Sequence, residues 1–105
     1  MAEYILSILH MELMVVFSWG LHNPTALPND EGLAFEVNGY KHRGWVIVRY
    51  NEGTDLFDIE LWTSAMQLTD QIEGVYFDQL VEVIDNAVEK VSNYAERVNQ
   101  QYNLQ

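Results

Sequence analysis

The stretch LAFEVNGYKHRGWVIVRYNEGTDLFDIELW, from Leu33 to Trp62, decides the fold, because two turn signals inside it select one buried face. Asn38-Gly39 is the strongest short-range mark of a two-residue hairpin, since both central positions need positive φ. That turn predicts pairing of Val37 with Tyr40, Glu36 with Lys41 and Phe35 with His42. The second turn, Asn51-Glu52-Gly53-Thr54, is looser and leaves the register open by one residue. A one-residue slip turns every side chain of a strand over, so the apolar pattern makes the choice. Only one register puts Val46, Val48 and Tyr50 on the side that carries Phe57, Ile59 and Leu61. Alternation then sends Leu33, Phe35 and Val37 to that same side.

Toward the N-terminus, Ala2 to about Glu12 predicts a short helix with Ile5, Leu6, Leu9 and Leu13 on one stripe. Met14-Val15-Val16-Phe17-Ser18-Trp19 is β-branched and aromatic, which predicts a strand ended by Gly20. Two breaker clusters, Asn23-Pro24 and Pro28-Asn29-Asp30-Glu31-Gly32, predict a loop before the meander. Beyond it, Thr63-Ser64-Ala65 reads as a turn, and Met66, Leu68 and Ile72 as a further strand. From Phe77 to Val98 apolar residues recur at i, i+3, i+4 and i+7, predicting a terminal helix roughly 33 Å long at 1.5 Å per residue. Residues 99–105 are expected to fray.

The expected fold class is therefore α+β: one domain over residues 1–105, with an antiparallel meander of four or five strands, a short N-terminal helix and a long C-terminal helix. The terminal helix is expected to pack on Phe35, Val37, Val46, Val48, Phe57 and Ile59.

Sixteen acidic against five basic residues give a net charge of −11 and a pI near 4.3. Direct nucleic-acid binding through a basic groove is not expected, because that affinity comes from neutralising phosphates. Anionic membranes are disfavoured for the same reason. A basic protein partner is electrostatically compatible. With no cysteine, thiolate chemistry is excluded, and three histidines without ligand-like spacing give no metal site. No cofactor motif is present. Ile5 to Trp19 is apolar, but Glu3 stands where a signal peptide carries positive charge, and His10 and Glu12 interrupt the run. Neither a leader nor a bilayer span is expected, and the cytoplasm is the expected compartment.

Ser18-Trp19-Gly20, His22-Asn23-Pro24-Thr25-Ala26, Asn38 to Gly44 and Val75 to Val81 together resemble a family of short, acidic, uncharacterised bacterial proteins, some of them phage-associated. The resemblance implies one compact domain and carries no activity.

No residue pattern fixes a reaction, and no catalytic residue is assigned. The sheet face opposite the core is expected to carry Lys41, Arg43, Trp45, Ile47 and Arg49, flanked by Glu36, Leu56, Asp58, Glu60 and Trp62. Glu36–Lys41 and Arg49–Asp58 are expected surface pairs. Trp45, Ile47 and Trp62 form an apolar patch rimmed by charge, the composition of a protein interface. That face is either free, as a docking or homodimer surface, or covered by the N-terminal helix. A second candidate is an acidic stripe of Glu82, Asp85 and Glu89 on the terminal helix, able to imitate a polyanion and engage a basic protein. A third is a small hydrolytic or ligand-binding site in the loop with Trp19, His22 and Asn23. His42 is expected to be a satisfied core residue. A non-catalytic interaction or regulatory module, homodimeric through the tryptophan face, is the leading expectation.

Overall fold

The computed structural model describes residues 1–89. The chain runs α1 (Ala2–His10), α2 (Leu13–Ser18), β1 (His22–Ala26), β2 (Gly32–Asn38), β3 (Arg43–Asn51), β4 (Leu56–Trp62), β5 (Leu68–Val75) and α3 (Leu80–Val88), with 3-10 turns at Pro28–Asp30 and Phe77–Gln79. The five strands form one antiparallel sheet in chain order, β1-β2-β3-β4-β5. The α+β class and the meander are as expected.

Register follows the apolar pattern. Val46 lies opposite Leu61, Val48 opposite Ile59 and Tyr50 opposite Phe57. Across the other edge of β3, Leu33 faces Val48 and Phe35 faces Val46. These side chains, Tyr50 excepted, are buried in one core with Ile5, Ile8 and Leu9 of α1, Val16 of α2 and Leu80, Ile84 and Val88 of α3. All three helices thus contribute to one side of the sheet. The described residues form two layers, and the N-terminal helix does not cover the tryptophan face.

The first hairpin departs from its expected turn. Val37 pairs with Gly44 and Asn38 with Arg43, leaving residues 39–42 as a four-residue loop in place of a two-residue turn. Neither Asn38 nor Gly39 has positive φ. Gly39 serves another purpose: a Cβ there would run into the Val88 side chain and carbonyl. The Val88 carbonyl accepts from the N–H of Lys41 at 2.7 Å and of His42 at 3.3 Å. Tyr40 N–H donates to Glu89 Oε2 at 2.6 Å. The loop is built to receive the end of α3. Because the register moved by an even number, the buried face is unchanged.

That same contact bears on helix length. With its 3-10 turn the terminal helix spans Phe77–Val88, shorter than expected, and Glu89 leaves helical geometry at φ −126°. The carbonyl at Val88 is taken by the hairpin loop. The expected continuation to Val98 and the frayed tail lie outside the described residues.

Met14–Trp19 is not a strand. Leu13–Ser18 forms α2, and Gly20, at φ 65°, ends it with N–H donation to the Phe17 carbonyl. This is the left-handed glycine stop that a helix uses. Helical spacing puts Val16 and Trp19 into the core together, which alternation would not allow. The strand that replaces it is β1, where the loop around His22 was expected. It is a short edge strand, exposed throughout, with Pro24 within it. Pro is tolerated there because an edge strand has one side without ladder bonds.

Candidate functional site

The outer sheet face is organised around two tryptophans that β3 and β4 place directly opposite each other, Trp45 and Trp62. On its other side Trp45 faces Glu36 of β2, and Trp62 faces Leu68 of β5. One row up, Ile47 sits between Ala34 and Glu60. Trp45, Ile47 and Trp62 are part-exposed, and among the described residues no helix lies over them.

A polar chain fixes the second indole. Trp62 Nε1 donates to Glu60 Oε1 at 2.9 Å, and Arg49 Nε donates to Glu60 Oε2 at 2.9 Å. Arg49 continues to Glu31 Oε2 at 3.2 Å. Glu60 therefore holds a tryptophan and an arginine with its two oxygens, and the guanidinium is shared between two carboxylates. Arg49 and Asp58 are opposite in register, but the expected pair does not form; Asp58 Oδ1 accepts the Gly74 N–H at 3.1 Å instead. Arg43 is exposed at the end of β3, opposite Asn38.

Lys41 is not part of this face. The longer hairpin carries it to the end of α3, where its Nζ donates to the Asn86 carbonyl. Glu36, its expected partner, accepts from Asn23 Nδ2 at 2.5 Å and lies 3.6 Å from His22 Nε2. His42 is buried, with Nε2 3.1 Å from the Trp45 carbonyl, as expected of a satisfied histidine.

The three residues expected near one loop differ in burial. Trp19 is fully buried, stacked on Phe35 with centroids 6.4 Å apart, and its Nε1 donates to Asp85 Oδ1 at 2.9 Å. His22 and Asn23 remain exposed on β1, with His22 Nδ1 2.7 Å from the Gly20 carbonyl. Among the described residues no group of three His, Cys, Asp or Glu side chains is placed to hold a metal ion. Two of the three carboxylates of the acidic stripe are engaged within the protomer. Asp85 binds the Trp19 indole and Glu89 the Tyr40 amide, while Glu82 is exposed.

A surface that the strand prediction for Met14–Trp19 concealed lies on the helical layer. A groove of about 540 Å³ runs between α1–α2 and α3. Its signal in the sequence is an excess of apolar residues over what one core stripe needs: Tyr4, Met11 and Phe77, all on its walls, are 47%, 82% and 55% exposed. Within the described residues no helix is long and apolar enough to cross a membrane.

Comparison with known protein families, with curated proteins and with solved structures finds no match to this chain. The functional reading therefore rests on the surfaces themselves.

Proposed function

We propose that this chain is a small non-catalytic protein-interaction module that pairs with a second copy of itself through the Trp45–Ile47–Trp62 face. The observation that carries the reading is the direct opposition of Trp45 and Trp62 on a sheet face without a helix over it among the described residues. Tryptophan and arginine are the side chains most enriched at the anchors of protein interfaces.

The occupant follows from charge. A two-fold interface brings the same patch from both subunits together, so the patch must complement itself. Although the chain carries −11 overall, this face holds Arg43 and Arg49 beside Glu36, Asp58 and Glu60. Both signs are present around an apolar centre, and a second copy rotated by two-fold symmetry can match them. A purely basic partner would meet the two arginines. Edge-to-edge pairing is disfavoured at β1 by its five-residue length and Pro24.

Sedimentation velocity of the parent and of Trp45→Glu over a concentration series tests the proposal. A parent dimer that Trp45→Glu converts to monomer supports it. Monomeric behaviour of the parent throughout, or a dimer untouched by Trp45→Glu, removes the face as a self-association surface.

A further inference from the structure

The groove on the helical layer lies on the opposite side of the molecule from the tryptophan face and has a different character. One wall is a continuous stripe across the α1–α2 break: Tyr4, Ile8, Met11 and Val15 follow one another at helical steps of four, three and four. The facing wall presents Phe77 and Val81. Among the described residues every charged side chain lining the groove is an acid: Glu12 on one wall, and Asp78, Glu82 and Asp85 on the other. Among the described residues no Lys, Arg or His lines it. Asp85 turns one oxygen to the Trp19 indole, which fixes the carboxylate at the groove edge.

Two helical walls with an apolar floor between them accept a third amphipathic helix, whose residues at i, i+3, i+4 and i+7 enter the seam. Nine residues of α3 give about 13 Å of wall, matching two to three turns of a partner helix. Exposed Met11 adds the flexible thioether surface that adapts to varied apolar side chains. Acidic rims on both walls choose the sign of the partner. A second copy would oppose four carboxylates to four carboxylates in a chain already at −11.

We propose that the groove between α1–α2 and α3 binds a basic amphipathic helical segment of a partner protein. Its apolar side seats on Ile8, Met11, Val15, Phe77 and Val81, and its Lys or Arg side chains face Glu12, Asp78 and Glu82. This differs from polyanion mimicry, because binding requires the apolar stripe as well as the carboxylates.

The probe is a synthetic fluorescent peptide with Leu at i, i+3, i+4 and i+7 and Lys elsewhere, read by anisotropy on the full chain. Its control is a scrambled peptide of identical composition without an apolar face. The amphipathic peptide should bind at least about tenfold tighter than the scrambled one, and more weakly as salt rises from about 50 to 300 mM. Met11→Lys and Phe77→Lys should each weaken binding about tenfold, and Glu82→Gln severalfold, whereas Glu52→Gln, outside the groove, should leave it within about twofold. Met11 and Phe77 are exposed, so these variants keep the parent fold, which a circular-dichroism melt verifies. Equal binding of both peptides, or equal losses from Glu82→Gln and Glu52→Gln, would reduce the effect to general charge attraction and overturn the proposal. A photocrosslinker at position 11 distinguishes the occupants. Crosslinking to the peptide supports the proposal, while crosslinking to a second copy or to residues 90–105 in its presence overturns it.

Discussion

The indole of Trp19 donates to Asp85 Oδ1 at 2.9 Å, tying the end of α2 to α3 across 66 positions of sequence. The ring is fully buried on Phe35, and the carboxylate is at the groove edge, so the bond joins the core to the surface. Trp19→Phe keeps most of the apolar volume but leaves Asp85 without its donor, and should cost about 1–3 kcal/mol. Asp85→Ala should cost less in a Trp19→Phe background than alone, by about 0.5 kcal/mol or more. Urea denaturation of the four-member cycle measures the coupling, and additive losses would show that the bond contributes nothing.

Gly39 is held against Val88 by the hairpin loop that receives the end of α3. Gly39→Ala should destabilise by about 2 kcal/mol, because the new methyl meets a carbonyl and a buried side chain that cannot both retreat. Gly53→Ala meets only the Asn51 side chain, at 3.4 Å, and should cost less than about 1 kcal/mol. Equal urea midpoints for the two variants would argue against the tight loop-to-helix contact.

Ile84 and Leu61 lie on the two sides of one core. Ile84→Asp and Leu61→Asp each bury a carboxylate without a partner and should lose about 4 kcal/mol or more. Asn86→Asp, exposed on the same helix, should stay within about 0.5 kcal/mol. Thermal melts compare all three directly.

The Tyr50 hydroxyl donates to Asp55 Oδ1 at 2.5 Å, and this bond, with a smaller contribution from burial, holds the phenol above its ordinary value of 10.0. A phenol raised in the folded state contributes stability that is complete below the unfolded pKa and is lost as pH rises through the folded one. The parent should therefore lose stability more steeply above pH 10.0 than Tyr50→Phe does. Asp55→Asn, which retains the left-handed backbone at φ 58°, should bring the phenol back toward its ordinary value. Ultraviolet titration of the tyrosines checks the shift, and urea midpoints across the same pH range check the slope.

The inward face was legible because period-two alternation is a strong constraint on a half-buried sheet: Val46, Val48, Ile59 and Leu61 have one consistent placement. What local signals missed were positions decided by distant partners. Asn38-Gly39 reads as a tight turn, yet the loop is opened by the Val88 carbonyl, fifty positions away in sequence for Asn38. Val15, Val16 and Phe17 favour a strand by composition, yet Gly20 and the burial of Trp19 select a helix. Propensity differences of this kind are worth under about 1 kcal/mol per residue, less than the burial of one indole. The tryptophan face was legible as a surface pattern, but Lys41 left it when the hairpin lengthened. The helical groove was hidden behind the strand expected at Met14–Trp19.

The three indole N–H groups report separately on the account. Trp19 is bound to Asp85 inside the protomer, whereas Trp45 and Trp62 lie on the outer sheet face. Following their proton–nitrogen resonances on dilution from about millimolar to micromolar protein spans the affinity range of a moderate self-association. The account predicts that Trp45 and Trp62 shift together with concentration while Trp19 stays fixed. Invariant Trp45 and Trp62 signals across that range, or a shift confined to Trp19, would contradict it.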